Sequence, residues 1–84
     1  MGSSVPNLSE AFATVVQHRR TAGKLSRETL AQRAGLHQTY IGLIERGLRN
    51  PSLDAAQAIA AALGQPLSKL ISEAERARKG GKSR

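Results

Sequence analysis

An all-α fold of five helices is predicted by three features of the 84-residue chain. Five segments carry apolar residues at helical spacing, none alternates with the period of two that marks a strand, and a glycine closes each of the first four. The first helix begins at Asn7, an N-cap residue followed three positions later by Glu10, the spacing of a capping box. Phe12, Val15, Val16 and Arg19 follow at helical spacing, and Gly23 supplies the stop. Ser26 caps a short second helix that carries Leu30, Ala31 and Ala34 before Gly35. A third helix runs from about Gln38 to Arg46 with Ile41 and Ile44 facing inward, and Gly47 ends it.

Arg49-Asn50-Pro51-Ser52 is a turn whose last residue caps a fourth helix. Leu53, Ala56, Ile59, Ala60 and Leu63 give that helix its apolar stripe, and Gly64 closes it. Pro66 suits the entry to a fifth helix, which presents Leu67, Leu70 and Ile71 and turns polar toward Arg78. Residues 1–6 are expected to be a flexible N-terminus, 7–78 the folded domain, and 79–84 a frayed basic tail.

Composition narrows the function. Hydrophobic residues make up 39% and charged residues 23%, a globular balance. With no cysteine, disulfide frameworks and thiolate metal sites are excluded, and two histidines, His18 and His37, are too few for a histidine-rich zinc site. No run approaches the roughly 20 apolar residues that span a bilayer, and the first residues lack a signal peptide's basic and apolar regions. A cytoplasmic protein without a membrane segment is the expectation. Thirteen Lys and Arg against six Asp and Glu leave a net charge of +7, which points to a polyanionic partner.

The stretch from Leu25 to Gly47 concentrates the information. An eight-residue helix stops at Gly35, and a three-residue turn leads into the next helix. A turn this tight sets two helices steeply across one another, the helix-turn-helix arrangement. Ala31 is small enough to permit close approach, and Leu30, Leu36, Ile41 and Ile44 have the spacing of a shared core beneath the crossing. Between His18 and Asn50 seven basic residues face two acidic ones, a local charge of +5, so the motif and the charge coincide.

These residues resemble the helix-turn-helix domain of Cro and lambda-type phage repressors, the Xre group. Leu25-Ser26, Leu30-Ala31, Ala34-Gly35-Leu36, Ile41, Ile44-Glu45-Arg46-Gly47 and Asn50-Pro51-Ser52-Leu53 carry the match, which spans about Phe12 to Ile71. Thr39-Tyr40-Ile41 followed by Ile44-Glu45-Arg46-Gly47 is similar to restriction–modification controller proteins and small stand-alone repressors.

The resemblance implies a lambda-repressor-like fold and a homodimeric, sequence-specific transcriptional regulator that binds double-stranded DNA at an inverted repeat. The third helix would enter the major groove. Gln38, Thr39 and Leu43 would meet base edges, Gln38 by the paired hydrogen bonds that select adenine. Arg27, Tyr40, Arg46, Arg49 and His37 would meet phosphates. Arg27 departs from the commonest pattern, in which glutamine opens the second helix, bonds phosphate and supports the Gln38 position. Glu45 would repel phosphate on such a surface unless it is structural, and the resemblance pairs it with Arg20.

A core of this size yields about 3–5 kcal/mol, which favours a dimer, with Leu67, Leu70 and Ile71 at its interface. An enzyme is not expected: there is no nucleophilic cysteine, phosphate-cradling loop or paired carboxylates. No cofactor, metal or small-molecule ligand is implied. The alternatives are an antitoxin that binds a protein toxin and autoregulates, and a protein-interaction adaptor. Contact with RNA polymerase would accompany activation.

Overall fold

The computed structural model describes residues 7–82, with side chains described through Arg78. The N-terminal segment 1–6, expected to be flexible, and the last two residues of the basic tail lie outside the described residues. Five helices follow in order: α1 (Leu8–Ala22), α2 (Arg27–Ala34), α3 (Gln38–Glu45), α4 (Leu53–Ala62) and α5 (Leu67–Lys82). No strand is present among the described residues.

Local chemistry starts the helices where side-chain acceptors stand ready. Asn7 Oδ1 accepts the Glu10 backbone N–H at 2.8 Å, and Glu10 Oε1 accepts the Asn7 N–H at 3.2 Å, a reciprocal capping box. Ser26 and Ser52 cap α2 and α4 by accepting the backbone N–H of Thr29 and Ala55, each at 3.0 Å. His37 precedes α3 and makes no side-chain cap bond.

The first four helices end in one pattern, with paired backbone bonds that close the last turn around a left-handed residue. At the end of α2, Leu36 N–H bonds Ala31 O and Gly35 N–H bonds Gln32 O, with Gly35 at φ 71°. At the end of α1 the same pair runs from Leu25 to Arg20 and from Lys24 to Thr21. Gly23 stands at the C-cap, as expected of the stop, with an ordinary φ of −84°, and the left-handed residue is the next one, Lys24, at φ 59°.

The helices close around a single apolar cluster. Val16, Leu30, Ile41, Ile59 and Leu70 have no exposed surface, and Phe12, Val15, Ile44, Ala56, Ala60 and Ala74 complete the buried centre. The hairpin of α2 and α3 is held from outside, because α1 packs on α5 and α3 while α4 packs on α2 and α5. Burying a leucine or isoleucine contributes about 1.5–3 kcal/mol each, so this cluster fixes where α3 sits.

Two expectations need correction. Leu70 is fully buried within the protomer, so its side chain cannot reach a partner; only Leu67 and Ile71, both half-buried, keep accessible surface. In addition, α5 continues to Lys82, four residues past the expected boundary, so the basic run begins within the helix. The small and charged residues after Ala74 lack a strong apolar stripe, and the sequence gives no stop before Gly80.

Candidate nucleic-acid interface

Residues Gly35, Leu36 and His37 make up the whole connection between α2 and α3. Gly35 has φ 71° and ψ 30°, so the chain reverses without backbone strain. Leu36, half-buried, then packs against the core, and Ile41 and Ile44 pin one face of α3 with at most 1% exposure. Apolar anchorage on one side leaves the N-terminal end of α3 presented outward.

On that outward side Gln38 and Thr39 are exposed, while Gly42 and Leu43 are half-exposed. Thr39 and Gly42 are separated by three residues and Gln38 and Gly42 by four, so they share one helical face. Gly42 leaves that face low, since it adds no side chain between Gln38 and the helix end. His37 and Gln38 also line a shallow cleft with Glu28 and Gln32, a neighbour relation of α2 and α3 that sequence reasoning had not included.

The basic residues arrange themselves around this face. Arg46 is exposed, and its Nε donates to the Gly42 carbonyl at 3.3 Å, near the limit of a hydrogen bond. The Arg49 guanidinium stands 5.6 Å from the centre of the Tyr40 ring, a cation–π contact that braces the arginine while leaving its N–H edge available. Tyr40 is half-buried and packs against the core. Its role is therefore partly that of a platform, which the sequence did not reveal because Arg49 lies nine residues away in a separate loop.

Glu45 is where the sequence puzzle resolves into geometry. Its side chain is 1% exposed. Arg20 donates to both carboxylate oxygens, from Nε to Oε2 at 2.7 Å and from Nη2 to Oε1 at 3.1 Å. The remaining Arg20 nitrogen, Nη1, donates to the Leu25 carbonyl at 2.8 Å, tying the end of α1 to the pair. A bidentate guanidinium–carboxylate contact of this kind is strong and orientation-specific. Arg27 adds a second cation, its Nε donating to Glu45 Oε1 at 2.9 Å. That second partner was missed: the resemblance assigns Arg27 to phosphate, and no local signal places it beside Glu45, 18 residues away.

Among the described residues this face gathers a short outward-facing helix, a low glycine, three exposed arginines and the Glu45 carboxylate, neutralised from both sides. The helix-turn-helix family matches residues 16–70. The chain belongs to the helix-turn-helix family of DNA-binding transcriptional regulators. Its relatives include the control protein C.SmaI of Serratia marcescens, 40% identical over 77% of this chain and 77% of that protein. The control protein C.BamHI of Bacillus amyloliquefaciens is 50% identical over 60% of this chain and 62% of its own length. Among solved structures, the restriction–modification controller protein C.AhdI from Aeromonas hydrophila superposes with a TM-score of 0.71 at 40% identity, covering 74% of this chain and 94% of that one. The resemblance to controller proteins and phage-type repressors holds, and the family is one of regulators rather than enzymes. Among the described residues no helix is long and apolar enough to cross a membrane.

Proposed function

We propose that this chain acts as a homodimer on an inverted-repeat operator, with α3 of each subunit in successive major grooves roughly 34–36 Å apart. Gln38 and Thr39 read base edges and Leu43 meets a thymine methyl, while Arg27, Tyr40, Arg46, Arg49 and His37 hold phosphates. The carrying observation is that Gln38 and Thr39 stand exposed on the apolar-anchored α3 with Arg27, Arg46 and Arg49 also exposed. A surface of this composition suits a polyanion whose edges present hydrogen-bonding groups, and it offers no evident catalytic group.

Leu67 and Ile71, half-buried on α5, are the residues proposed for the dimer contact. Likeness to C.AhdI, a restriction–modification controller protein, supports assigning this chain to the control of such a locus. Selection of bound duplexes from a random pool at about 0.15 M salt tests the reading, because weak electrostatic binding is suppressed there. An enriched inverted repeat is expected. Retention of every sequence alike, abolished by salt, contradicts it.

A further inference from the structure

One buried carboxylate serves two guanidinium groups that differ sharply in exposure. Arg20 is 10% exposed and has its Nε, Nη1 and Nη2 all engaged, two nitrogens on Glu45 and one on a backbone carbonyl. Arg27 is 48% exposed, and only its Nε is bonded to Glu45. Among the described residues its two terminal nitrogens make no hydrogen bond. The guanidinium is a planar fork with five N–H donors, so engaging Nε leaves four on Nη1 and Nη2, one from each pointing off the end of the fork.

The path of the Arg27 stem is also set. A β-carbon placed on Gly42 would lie 3.9 Å from Arg27 Cδ, so the side chain of α2 runs beside the bare backbone of α3. With its stem beside Gly42 and its Nε bonded to Glu45, Arg27 lies next to the residue of α3 that shares a helical face with Gln38 and Thr39. The charge balance suits that position: Glu45 cancels one of its two arginines, and the cluster keeps a net positive charge where a lone carboxylate would repel DNA.

We infer that Glu45 is a positioning residue for a phosphate clamp, fixing Arg27 so that Nη1 and Nη2 donate together to one DNA phosphate beside the major groove. The inference rests on the proposed DNA reading and adds to it a division of labour: Arg20 makes Glu45 affordable in the core, and Glu45 orients Arg27 before DNA arrives. Preorganisation matters because a free arginine loses rotamer entropy when it binds, and here that freedom is lost on folding.

The test measures affinity for the wild-type protein's selected duplex across a salt series, with Arg27→Lys, Arg27→Gln, Glu45→Gln and the double variant Glu45→Gln/Arg27→Gln. All are measured well below their melting temperatures. Arg27→Lys keeps the charge but loses the fork, and its affinity should fall roughly tenfold, as expected for one lost charge-assisted contact. Arg27→Gln should fall at least as far, and its log–log salt slope should decrease by about one. Glu45→Gln should weaken binding alone and add nothing when Arg27→Gln is already present, the signature of coupled residues.

Arg27→Lys binding like the wild type overturns the clamp, because charge alone would then suffice. Additive losses for Glu45→Gln and Arg27→Gln overturn the positioning role and leave Glu45 a purely structural group. A wild-type protein that selects no duplex overturns both this inference and the reading beneath it. One that binds its duplex, with Arg27 variants unchanged, sinks this inference alone.

Discussion

Arg19 of α1 and Glu73 of α5, 54 residues apart in the chain, form a two-point ion pair. Arg19 Nε donates to Glu73 Oε1 at 3.1 Å, and Nη2 donates to Oε2. The contact ties α5 across α1 at the edge of the core, near Ala74. The Arg19 hydrogen bonds hold the Glu73 carboxyl below its ordinary value, against a smaller opposing effect of burial, with Lys69 and Arg76 adding to the depression.

The sign of the pH dependence follows. A carboxylate with a depressed folded-state pKa stabilises the fold fully above its unfolded value, near 4.5, and loses that contribution as pH falls through the folded value. Glu73→Gln should therefore melt below the wild type at neutral pH, and the gap should close in acid. Thermal melts between about pH 7 and 2.5 check this; a gap independent of pH would show that Glu73 contributes by packing.

Arg20 and Glu45 are coupled through burial. Glu45→Ala leaves a guanidinium with 10% exposure facing no carboxylate, and removing one partner of such a pair costs about 3–5 kcal/mol. That is comparable to the whole stability of a domain this small, so the variant should be largely unfolded or melt far lower by circular dichroism. A melting curve unchanged from wild type would refute the pairing as a structural element.

Backbone handedness gives opposite results at two helix ends. Gly35→Ala forces a β-carbon into φ 71° with nothing within 4 Å of it, so the loss, about 1 kcal/mol, is purely conformational. Lys24→Gly relieves a non-glycine residue at φ 59° and should raise the melting temperature slightly despite the entropy it adds to the unfolded chain. Differential scanning calorimetry of both variants distinguishes these directions.

Leu70 and Ile71 are neighbours in sequence that differ in burial, and only Ile71 belongs to the proposed dimer contact. Leu70→Ala opens a cavity under a fully buried side chain and should cost about 2–5 kcal/mol. A polar substitution at half-buried Ile71 should instead shift the dimer equilibrium, read by sedimentation over a range of protein concentrations. Equal effects of both changes on the sedimentation midpoint would contradict the division.

Short-range features were legible in the sequence and long-range ones were not. Asn7 with Glu10, Ser26, Ser52, Gly35, Gly47 and Gly64 each act within five residues of themselves, and their local chemistry suffices to place helix ends. Arg27 with Glu45 and Arg19 with Glu73 depend on which helices meet, which no local spacing encodes. Arg49 on Tyr40 similarly depends on how the loop folds back onto α3. The left-handed conformation of Lys24 was not legible either, because lysine carries no local signal for it. The outward face of α3 was legible because exposure of Gln38 and Thr39 follows from the helical period that buries Ile41 and Ile44.

The most direct test of base reading by α3 is the affinity of Gln38→Ala for the selected duplex and for each single-base variant of it. Gln38 is exposed, so its removal should leave the melting temperature unchanged. The account predicts a loss of about 1–3 kcal/mol of discrimination confined to two symmetry-related positions, with the salt slope intact. A uniform loss over every sequence, or no loss, would contradict the assignment of α3 as the reading helix.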